Sequence, residues 1–265
     1  MKTLPEIAQE LKDALTEGVR DGNFPAPNQE DLAEAWSRLG DRDGQRLRLS
    51  FGSRCARRLW YSAHRPEAAE PPNPEAFVGF SMGDWWELIA YNAIRTRLVL
   101  NNSDLELRDR GMEVIMDGIK GHIDGLVYQK EPTKNYPNHK EVRCVVDFKQ
   151  TSKWVFRKWF EGRIPDELWG YRHQAANYLE AIRQQTGDAA DGFVWVVHLK
   201  DVNGFEVGWA TTEELAPYLD ESRDFFHKAK ADTPPPRCEG FPGTAPCRGQ
   251  SRKYCPFYNT CSNDR

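Results

Sequence analysis

The sequence predicts a mixed α/β fold, in which a central mixed sheet is flanked by helices. Residues 192–199 are almost all apolar, which is typical of a strand that is covered on both faces. A helix, a group of strands, a second helix and this strand follow one another over residues 80–200. The chain of 265 residues is 39 % apolar and contains nine Trp, so it can bury a substantial core.

The N-terminal third of the chain is predicted to be helical. Leu4, Ile7 and Leu11 begin a series at helical spacing, which predicts a helix over residues 4–20. A turn rich in Gly, Pro and Asn separates it from a second predicted helix at 29–38. Next are expected a basic helix at 53–63, a proline-rich loop at 66–75 and a long helix at 80–98 that opens near Ser81 and Asp84.

Strand-like runs fill the middle of the chain. They lie at residues 105–109, 112–117, 119–128 and 142–149. The last two runs are separated by Gln129–Glu141, a polar stretch with two prolines that fits a long hairpin loop.

The C-terminal half is predicted to alternate helices and strands before an irregular tail. Pro165 is followed by two acids, which favours a helix N-terminus, and this helix is expected to reach about Gln185. After the apolar strand, a strand at 205–210 and a helix at 212–230 are expected, and Pro234 marks the start of the tail.

Charge and composition divide the chain into three predicted segments. Residues 1–45 carry ten acids and five bases and form an acidic helical region. Residues 46–232 form the core with a basic helical insertion, and residues 233–265 form a cysteine-rich tail. No run of about 18 apolar residues and no hydrophobic signal core is present, so a cytoplasmic protein without a membrane partner is expected.

Basic residues are mixed with aromatic residues in two segments. Residues 46–65 contain six arginines and no acid, and residues 149–172 contain six further bases interleaved with Trp and Phe. Such a mixture suits a path that neutralises phosphates and stacks bases, although a solvated helix face is the alternative. The candidates for DNA contacts are Arg54, Arg57, Arg58, Lys153, Arg157 and Lys158.

The most informative motif places an acid and a lysine two residues apart on an apolar strand. Side chains alternate along a strand, so Asp147 and Lys149 point to one face while Val146 and Phe148 point to the other. A carboxylate beside an ammonium on a rigid element suits metal-dependent hydrolysis of phosphodiesters. The alternative is a salt bridge on a half-exposed strand.

A second acid belongs to the preceding strand. Asp124 is expected to share a face with His122, and a hairpin would bring it close enough to Asp147 to share one Mg²⁺ or Mn²⁺. Glu87 on the preceding helix is a candidate third ligand, with Asp84 as the second choice. His122 is expected to be a hydrogen-bonded strand residue instead of a ligand.

The six cysteines are unevenly distributed. One of them, Cys144, is expected to be a buried apolar residue of the strand before Asp147. Without a signal peptide, the other five favour a metal over disulfides, and zinc and an iron–sulfur cluster are both suitable. These five are Cys55, Cys238, Cys247, Cys255 and Cys261.

These motifs, in this order, resemble the RecB-like branch of the PD-(D/E)XK nuclease superfamily. The resemblance rests on Gly121-x-x-Asp124, on Asp147-x-Lys149, and on Gln174 with Tyr178 four residues later on one helical face. It implies a restriction-endonuclease-like core with an N-terminal helical region and a stapled C-terminal tail.

The resemblance also implies a role for each motif residue. Asp124 and Asp147 are metal ligands by this likeness, the Phe148 carbonyl completes the coordination, and Lys149 is the catalytic lysine. Gln174 and Tyr178 organise the lysine and the substrate. Glu87 stands where the family often has a His ligand.

The cysteine pattern resembles the iron–sulfur staple of AddB-type nucleases and of CRISPR-adaptation nucleases. It implies a [4Fe–4S] cluster on Cys55, Cys247, Cys255 and Cys261. The family's Cys-x2-Cys becomes Cys-x7-Cys here, which leaves Cys238 as the rival of Cys247 and zinc as the alternative metal.

Together these resemblances imply a deoxyribonuclease that depends on Mg²⁺ or Mn²⁺. An exonuclease on single strands or DNA ends is expected, in recombination, repair or CRISPR-type processing and with a protein partner from such a pathway. The alternative is a catalytically silent DNA-binding or decoy protein that keeps the fold.

Overall fold

The computed structural model describes most of the chain. The described residues are 1–22, 29, 33, 47–51, 55–71, 74–130, 140–152, 170–187, 189–200, 204–237 and 255–264, with the backbone alone at 74–77, 80 and 140. The predicted helix at 29–38 lies outside these residues except for positions 29 and 33, and the predicted start of a helix at Pro165 lies outside them.

Along the described residues three α-helices are followed by five strands, one α-helix, two strands and two further α-helices. The helices are α1 (Leu4–Asp21), α2 (Ala56–His64), α3 (Pro74–Leu100), α4 (Tyr171–Thr186), α5 (Thr212–Ala229) and α6 (Tyr258–Asn263). The strands are β1 (Leu105–Arg108), β2 (Glu113–Met116), β3 (Ile119–His122), β4 (Gly125–Lys130), β5 (Lys140–Thr151), β6 (Gly192–Leu199) and β7 (Phe205–Thr211).

The central sheet is mixed, as the sequence predicts. Within the described residues its strand order is β1-β4-β5-β6-β7, while β2 and β3 form a separate hairpin. The neighbours β5 and β6 are parallel, and the other pairs of the sheet are antiparallel. The strand β5 therefore lies in the middle of the sheet.

Helices cover both faces of the sheet. On one face α1 and α3 pack against alternate residues of β5, including Cys144, Val146 and Phe148. On the other face α4 and α5 pack against Val145 and Trp195. Asp147 and Lys149 belong to this second face by strand alternation, so the predicted orientation of the motif is confirmed.

The predicted strand at 119–128 is wrong, because the structure divides it into two strands. The strand β3 ends at His122 in the hairpin with β2, and β4 begins at Gly125 in the central sheet. At the crossing, the Ile123 N–H donates to Met112 O at 3.1 Å and Ile123 O accepts from Gly111 N–H at 2.9 Å. The expectation that Asp124 and His122 share a face of one strand is therefore also wrong.

Two helices begin at other residues than the sequence patterns predict. The long helix α3 starts at Pro74 and not near Ser81, and a proline in the first turn lacks only an N–H that would have no partner there. The helix α4 starts at Tyr171, because Gly170 has a left-handed backbone with φ 64°.

The C-terminal tail carries a helix where irregular structure is expected. Residues of α6 and the turn before it pack onto α2, and Phe257 stacks on Tyr61 with ring centroids 5.5 Å apart. The Glu70 N–H donates to Pro256 O at 2.7 Å, and the Thr260 hydroxyl donates to Ala68 O at 3.2 Å. The C-terminal tail is thus attached to α2 and to the residues that follow α2.

None of the helices in the described part of the chain combines the length and apolar character needed to cross a bilayer. The division into three segments at residues 45 and 232 stays a prediction.

Candidate active site

Asp147 is the centre of a buried polar cluster on β5. Its side chain is almost completely buried, and its Oδ1 accepts hydrogen bonds from Lys149 Nζ at 2.8 Å and from Gln174 Nε2 at 3.1 Å. The other oxygen, Oδ2, lies 2.6 Å from Lys149 Nζ as an ion pair. This buried Oδ2 nevertheless receives no hydrogen bond of acceptable geometry.

Asp124 is held against β5 from the neighbouring strand. It immediately precedes β4, where Gly125 pairs with Val146, and its Oδ2 accepts the Phe148 N–H at 2.8 Å. The two carboxyl groups of Asp124 and Asp147 are close enough for a hydrogen bond when one is protonated. The predicted meeting of the two acids through the β4–β5 hairpin is therefore present in the fold.

The charges of this cluster act strongly on one another. Burial raises the pKa of Asp147, and the negative charge of Glu87 raises it further, against the opposing effect of Lys149. Burial disfavours the Lys149 ammonium, but the carboxylates of Asp147 and Asp124 outweigh it and raise the pKa of Lys149. Two crowded carboxylates around one buried ammonium leave an excess of negative charge that suits a cation.

The helix α4 packs beside the polar cluster of β5 and contributes side chains to it. Gln174 donates to Asp147, and Tyr178 lies buried one turn later on the same helical face. Burial raises the pKa of Tyr178, and the two aspartates raise it further. The ring of Tyr178 also accounts for the glycine at position 121, because a Cβ on Gly121 would lie 2.7 Å from Tyr178 Cε1.

The sequence reading missed two residues of this region. Tyr171, at the start of α4, places its ring 5.4 Å from Lys149 Nζ. It is three residues before Gln174 and so shares its helical face, which is a signal the sequence contains. Arg110 lies beside Glu87, with Arg110 Nε and Glu87 Oε1 3.3 Å apart, and no sequence pattern points to it.

The other acid and imidazole candidates are placed less centrally. Glu87 is buried and within electrostatic reach of Asp147, while Asp84 is half-buried one turn earlier on α3. The side chain of His122 is 53 % exposed and lies 4.0 Å from Glu113, in the β2–β3 hairpin. This position fits the expected role of a strand residue better than that of a ligand.

The donor set at Asp124 and Asp147 fits a divalent ion of the Mg²⁺ type. Two carboxylates and a backbone carbonyl are oxygen ligands of the kind that Mg²⁺ prefers, with water and substrate completing the shell. The buried Oδ2 of Asp147 supports this fit, since it accepts no well-directed hydrogen bond besides its ion pair with Lys149 and so keeps a lone pair that a cation can use. Among the described residues, no three His, Cys, Asp or Glu side chains gather into a metal site.

The described cysteines lie near the packing of α2 against the tail. Cys55 precedes α2, and Cys255 and Cys261 contact the cluster of Trp60, Tyr61 and Phe257. Cys144 is completely buried, and burial raises the pKa of its thiol. Cys238 and Cys247 lie outside the described residues.

The candidate basic residues are only partly covered by the structure. Arg57 and Arg58 are both buried, and Arg57 donates to Pro235 O at 2.8 Å and to Asp264 at 3.2 Å. The guanidinium of Arg58 is 5.4 Å from the Phe51 ring. Arg54, Lys153, Arg157 and Lys158 lie outside the described residues, so their DNA contacts stay a prediction.

The chain is similar to several solved structures. One, described as the crystal structure of SSO0001, is 16 % identical with a TM-score of 0.39, over 98 % of this chain and 96 % of that chain. An alkaline exonuclease (LHK-Exo) from Laribacter hongkongensis is 12 % identical with a TM-score of 0.32, over 51 % of this chain and 62 % of that chain. A putative exonuclease from Eubacterium rectale is 18 % identical with a TM-score of 0.35, over 63 % of this chain and 61 % of that chain.

This chain thus spans less than two thirds of the length of the two exonuclease chains. No family model matches the sequence, and no curated protein matches it. At these TM-scores the similarities do not identify a function.

Proposed function

We propose that this chain is a metal-dependent deoxyribonuclease that acts on single strands or DNA ends. The observation that carries the proposal is the buried triad of Asp147, Lys149 and Gln174 beside Asp124. A salt bridge on an exposed strand needs neither burial nor a second acid. The central position of Asp147, at 2 % exposure, therefore argues against the simpler reading of the Asp-x-Lys motif.

The carboxylates of Asp124 and Asp147 would hold the ion, with the Phe148 carbonyl as a further ligand by the family resemblance. A bound Mg²⁺ or Mn²⁺ would polarise the scissile phosphodiester and lower the pKa of water. The hydrogen bond from the Phe148 N–H keeps Asp124 in place at 2.8 Å. Gln174 fixes the Oδ1 atom of Asp147 at 3.1 Å, so both acids are positioned before substrate binds.

Lys149 would act on the substrate from the same face of β5. Its side chain is 20 % exposed while Asp147 is 3 % exposed, so the ammonium lies between the buried acids and solvent. From this position it can orient an attacking water or stabilise charge that develops on the phosphate. The Tyr171 ring, 5.4 Å from Nζ, limits the directions that the ammonium can take.

The proposal predicts that the purified protein degrades labelled DNA when Mn²⁺ or Mg²⁺ is added and stops when the ion is chelated. Linear single strands, linear duplexes and closed circles, each labelled internally and at one end, should be compared in the same assay. Cleavage of the linear substrates with intact circles would support an exonuclease. Absence of cleavage of every substrate with either ion would refute the proposed activity.

A catalytically silent DNA-binding protein is the second candidate. The basic segments at 46–65 and 149–172 suit DNA binding whether or not the protein cleaves DNA. Both candidates predict DNA binding that weakens steeply with salt, because phosphate contacts release counterions. The two differ in the effect of the ion. A silent protein binds DNA with or without Mn²⁺ and leaves it intact.

We also propose a [4Fe–4S] cluster on Cys55, Cys247, Cys255 and Cys261. Supporting it, α6 and the turn before it bring Cys255 and Cys261 to the aromatic cluster of α2, the helix that Cys55 precedes. Within the described residues these three thiols are not gathered into a metal site, so the proposal requires them to close around the iron–sulfur cluster. Binding energy of a metal centre at this place would become folding energy of the tail. Zinc stays the alternative metal.

The cluster predicts a brown protein with iron and inorganic sulfide in stoichiometric amounts when it is purified without oxygen. Cys255→Ala should lose the colour, because it removes one of four ligands. The matched control is Cys144→Ala, which removes a thiol of the core and should keep the colour. A colourless wild-type protein that contains zinc would assign the site to zinc instead.

A further inference from the structure

An ion pair beside the candidate active site joins Glu87 of α3 to Arg110 of the turn between β1 and β2. The Arg110 Nε and Glu87 Oε1 atoms are 3.3 Å apart, and the two side chains are 7 % and 12 % exposed. A guanidinium does not lose its proton in proteins, so its burial requires a negative partner. Glu87 meets that requirement in the observed fold.

The turn that carries Arg110 is fixed on both sides. Tyr91 is one helical turn after Glu87 on the same face of α3, and its hydroxyl donates to Leu107 O of β1 at 3.5 Å. Glu87 and Tyr91 therefore contact this part of the chain at Arg110 and at Leu107. Asp109, just before Arg110, has φ 57°, which few residues other than glycine adopt.

The same turn is bonded to the segment that positions Asp124. The Gly111 N–H donates to Ile123 O at 2.9 Å, and the Ile123 N–H donates to Met112 O at 3.1 Å. The β1–β4 pairing ends beside it, with Arg108 opposite Leu126. Arg110 is thus attached by short connections to both Glu87 and Asp124.

The Glu87–Arg110 pair is also within electrostatic range of the metal candidates, because the charge of Glu87 acts on Asp147. A site with Asp124, Asp147 and a free Glu87 would offer three carboxylates, enough to bring two divalent ions together. Glu87 and Asp147 both have a cationic partner, but the two partners differ. The Lys149 side chain is 20 % exposed, whereas the Arg110 side chain is 7 % exposed and stands in a turn that backbone hydrogen bonds hold to Ile123. A cation therefore displaces Lys149 from Asp147 more readily than it displaces Arg110 from Glu87.

We propose that Arg110 is the permanent counter-charge of Glu87, so that Glu87 is not a metal ligand and the site takes one divalent ion. This inference rests on the proposed function, and it deepens that proposal by specifying the metal stoichiometry and a positioning residue.

Binding of Mn²⁺ to the full chain without DNA tests the inference, with free Mn²⁺ measured by electron paramagnetic resonance. Mn²⁺ is a suitable probe because it prefers carboxylates to thiolates, so the cysteines do not compete. The wild type should bind one ion in this site. Glu87→Gln should change the dissociation constant by less than about tenfold, which is below the usual cost of losing even an outer partner of a metal site.

Asp147→Asn should weaken binding by more than about 100-fold, since it removes a ligand and not an outer partner. Arg110→Gln should tighten binding by about tenfold or more, because it removes a buried positive charge and releases a carboxylate. The matched control is Arg108→Gln, two residues away. Arg108 pairs with Glu106 and its side chain is 48 % exposed, so this variant should bind as the wild type does.

The double variant Glu87→Gln/Arg110→Gln keeps the test decisive if one single variant does not fold. It replaces both members of the ion pair by amides and leaves the net charge beside the site unchanged, so wild-type affinity is expected. A loss of binding in Glu87→Gln and in the double variant would make Glu87 a ligand and overturn the inference. Two bound ions in the wild type would do the same.

The inference can fail separately from the proposed function. If the wild type binds Mn²⁺ and cleaves DNA but neither Glu87→Gln nor the double variant binds the ion, the proposed function stands and the role of Arg110 is wrong. If the wild type binds no Mn²⁺ and cleaves no DNA, both proposals are refuted.

Discussion

Lys149→Met is expected to abolish most of the DNA cleavage. Removal of one preorganised donor at a site of developing charge lowers the rate on the order of 10²- to 10³-fold. Methionine is unbranched like lysine and one atom shorter, so the packing beside Tyr171 changes little. The measurement is the initial rate on end-labelled DNA at saturating Mn²⁺.

Loss of activity in Lys149→Met has a second explanation, destabilisation of the fold, and the same experiment has to test it. Loss of the ammonium leaves the Asp147 carboxylate buried without its ion-pair partner, which alone destabilises a fold by roughly 3–5 kcal/mol. Thermal unfolding should therefore be recorded with and without Mn²⁺. A variant that is folded under assay conditions and still inactive supports a role in catalysis.

The matched control is Lys120→Met on β3. That side chain is 64 % exposed and its ammonium pairs with Glu113 at 3.0 Å, away from the two aspartates. It should keep the wild-type rate. Equal rates for the wild type and Lys149→Met would remove Lys149 from the proposed mechanism.

Gly192→Ala is expected to have the largest effect on stability. A Cβ at Gly192 would collide with the carbonyl oxygen of Ala210 and would lie 2.6 Å from Leu4 Cδ2 and 3.0 Å from Thr211 Cα. Two of these three atoms belong to the backbone of the paired region of β7, so they cannot move away as a flexible side chain can. The free energy of unfolding should fall by about 3 kcal/mol or more, at the upper end of overpacking effects.

Urea unfolding of the purified variant measures this loss. The matched control is Gly83→Ala, because Gly83 lies within α3 and a Cβ there would meet no atom of another described element within 4 Å. Alanine in a helix should stabilise the protein by about 0.8–1 kcal/mol relative to glycine. If Gly192→Ala unfolds at the urea concentration of the wild type, the close packing of β6 against β7 and α1 is wrong.

Strand periodicity was sufficient to orient the Asp147 motif. Because side chains alternate, the sequence alone places Asp147 and Lys149 on one face and Val146 and Phe148 on the other, and the structure confirms this. The four-residue spacing of Gln174 and Tyr178 likewise predicts one helical face, and both contact the same cluster. These are local relations, determined by the geometry of a single element.

Predictions that required two elements were less successful. The strand at 119–128 has a continuous pattern, yet the chain leaves the β2–β3 hairpin at His122 and enters the central sheet at Gly125. Backbone hydrogen bonds of Ile123 to a turn more than ten residues away cause this division. A sequence pattern within one window does not contain that information.

The sequence by itself determined the mixed α/β class, the faces of the Asp147 strand and the helix that supports it, because these depend on local periodicity. Tertiary structure alone decided that Asp124 accepts a hydrogen bond from the Phe148 N–H and that Arg110 pairs with Glu87. The physical reason is that buried charges need partners, and a partner is chosen by proximity in the fold and not by spacing along the chain.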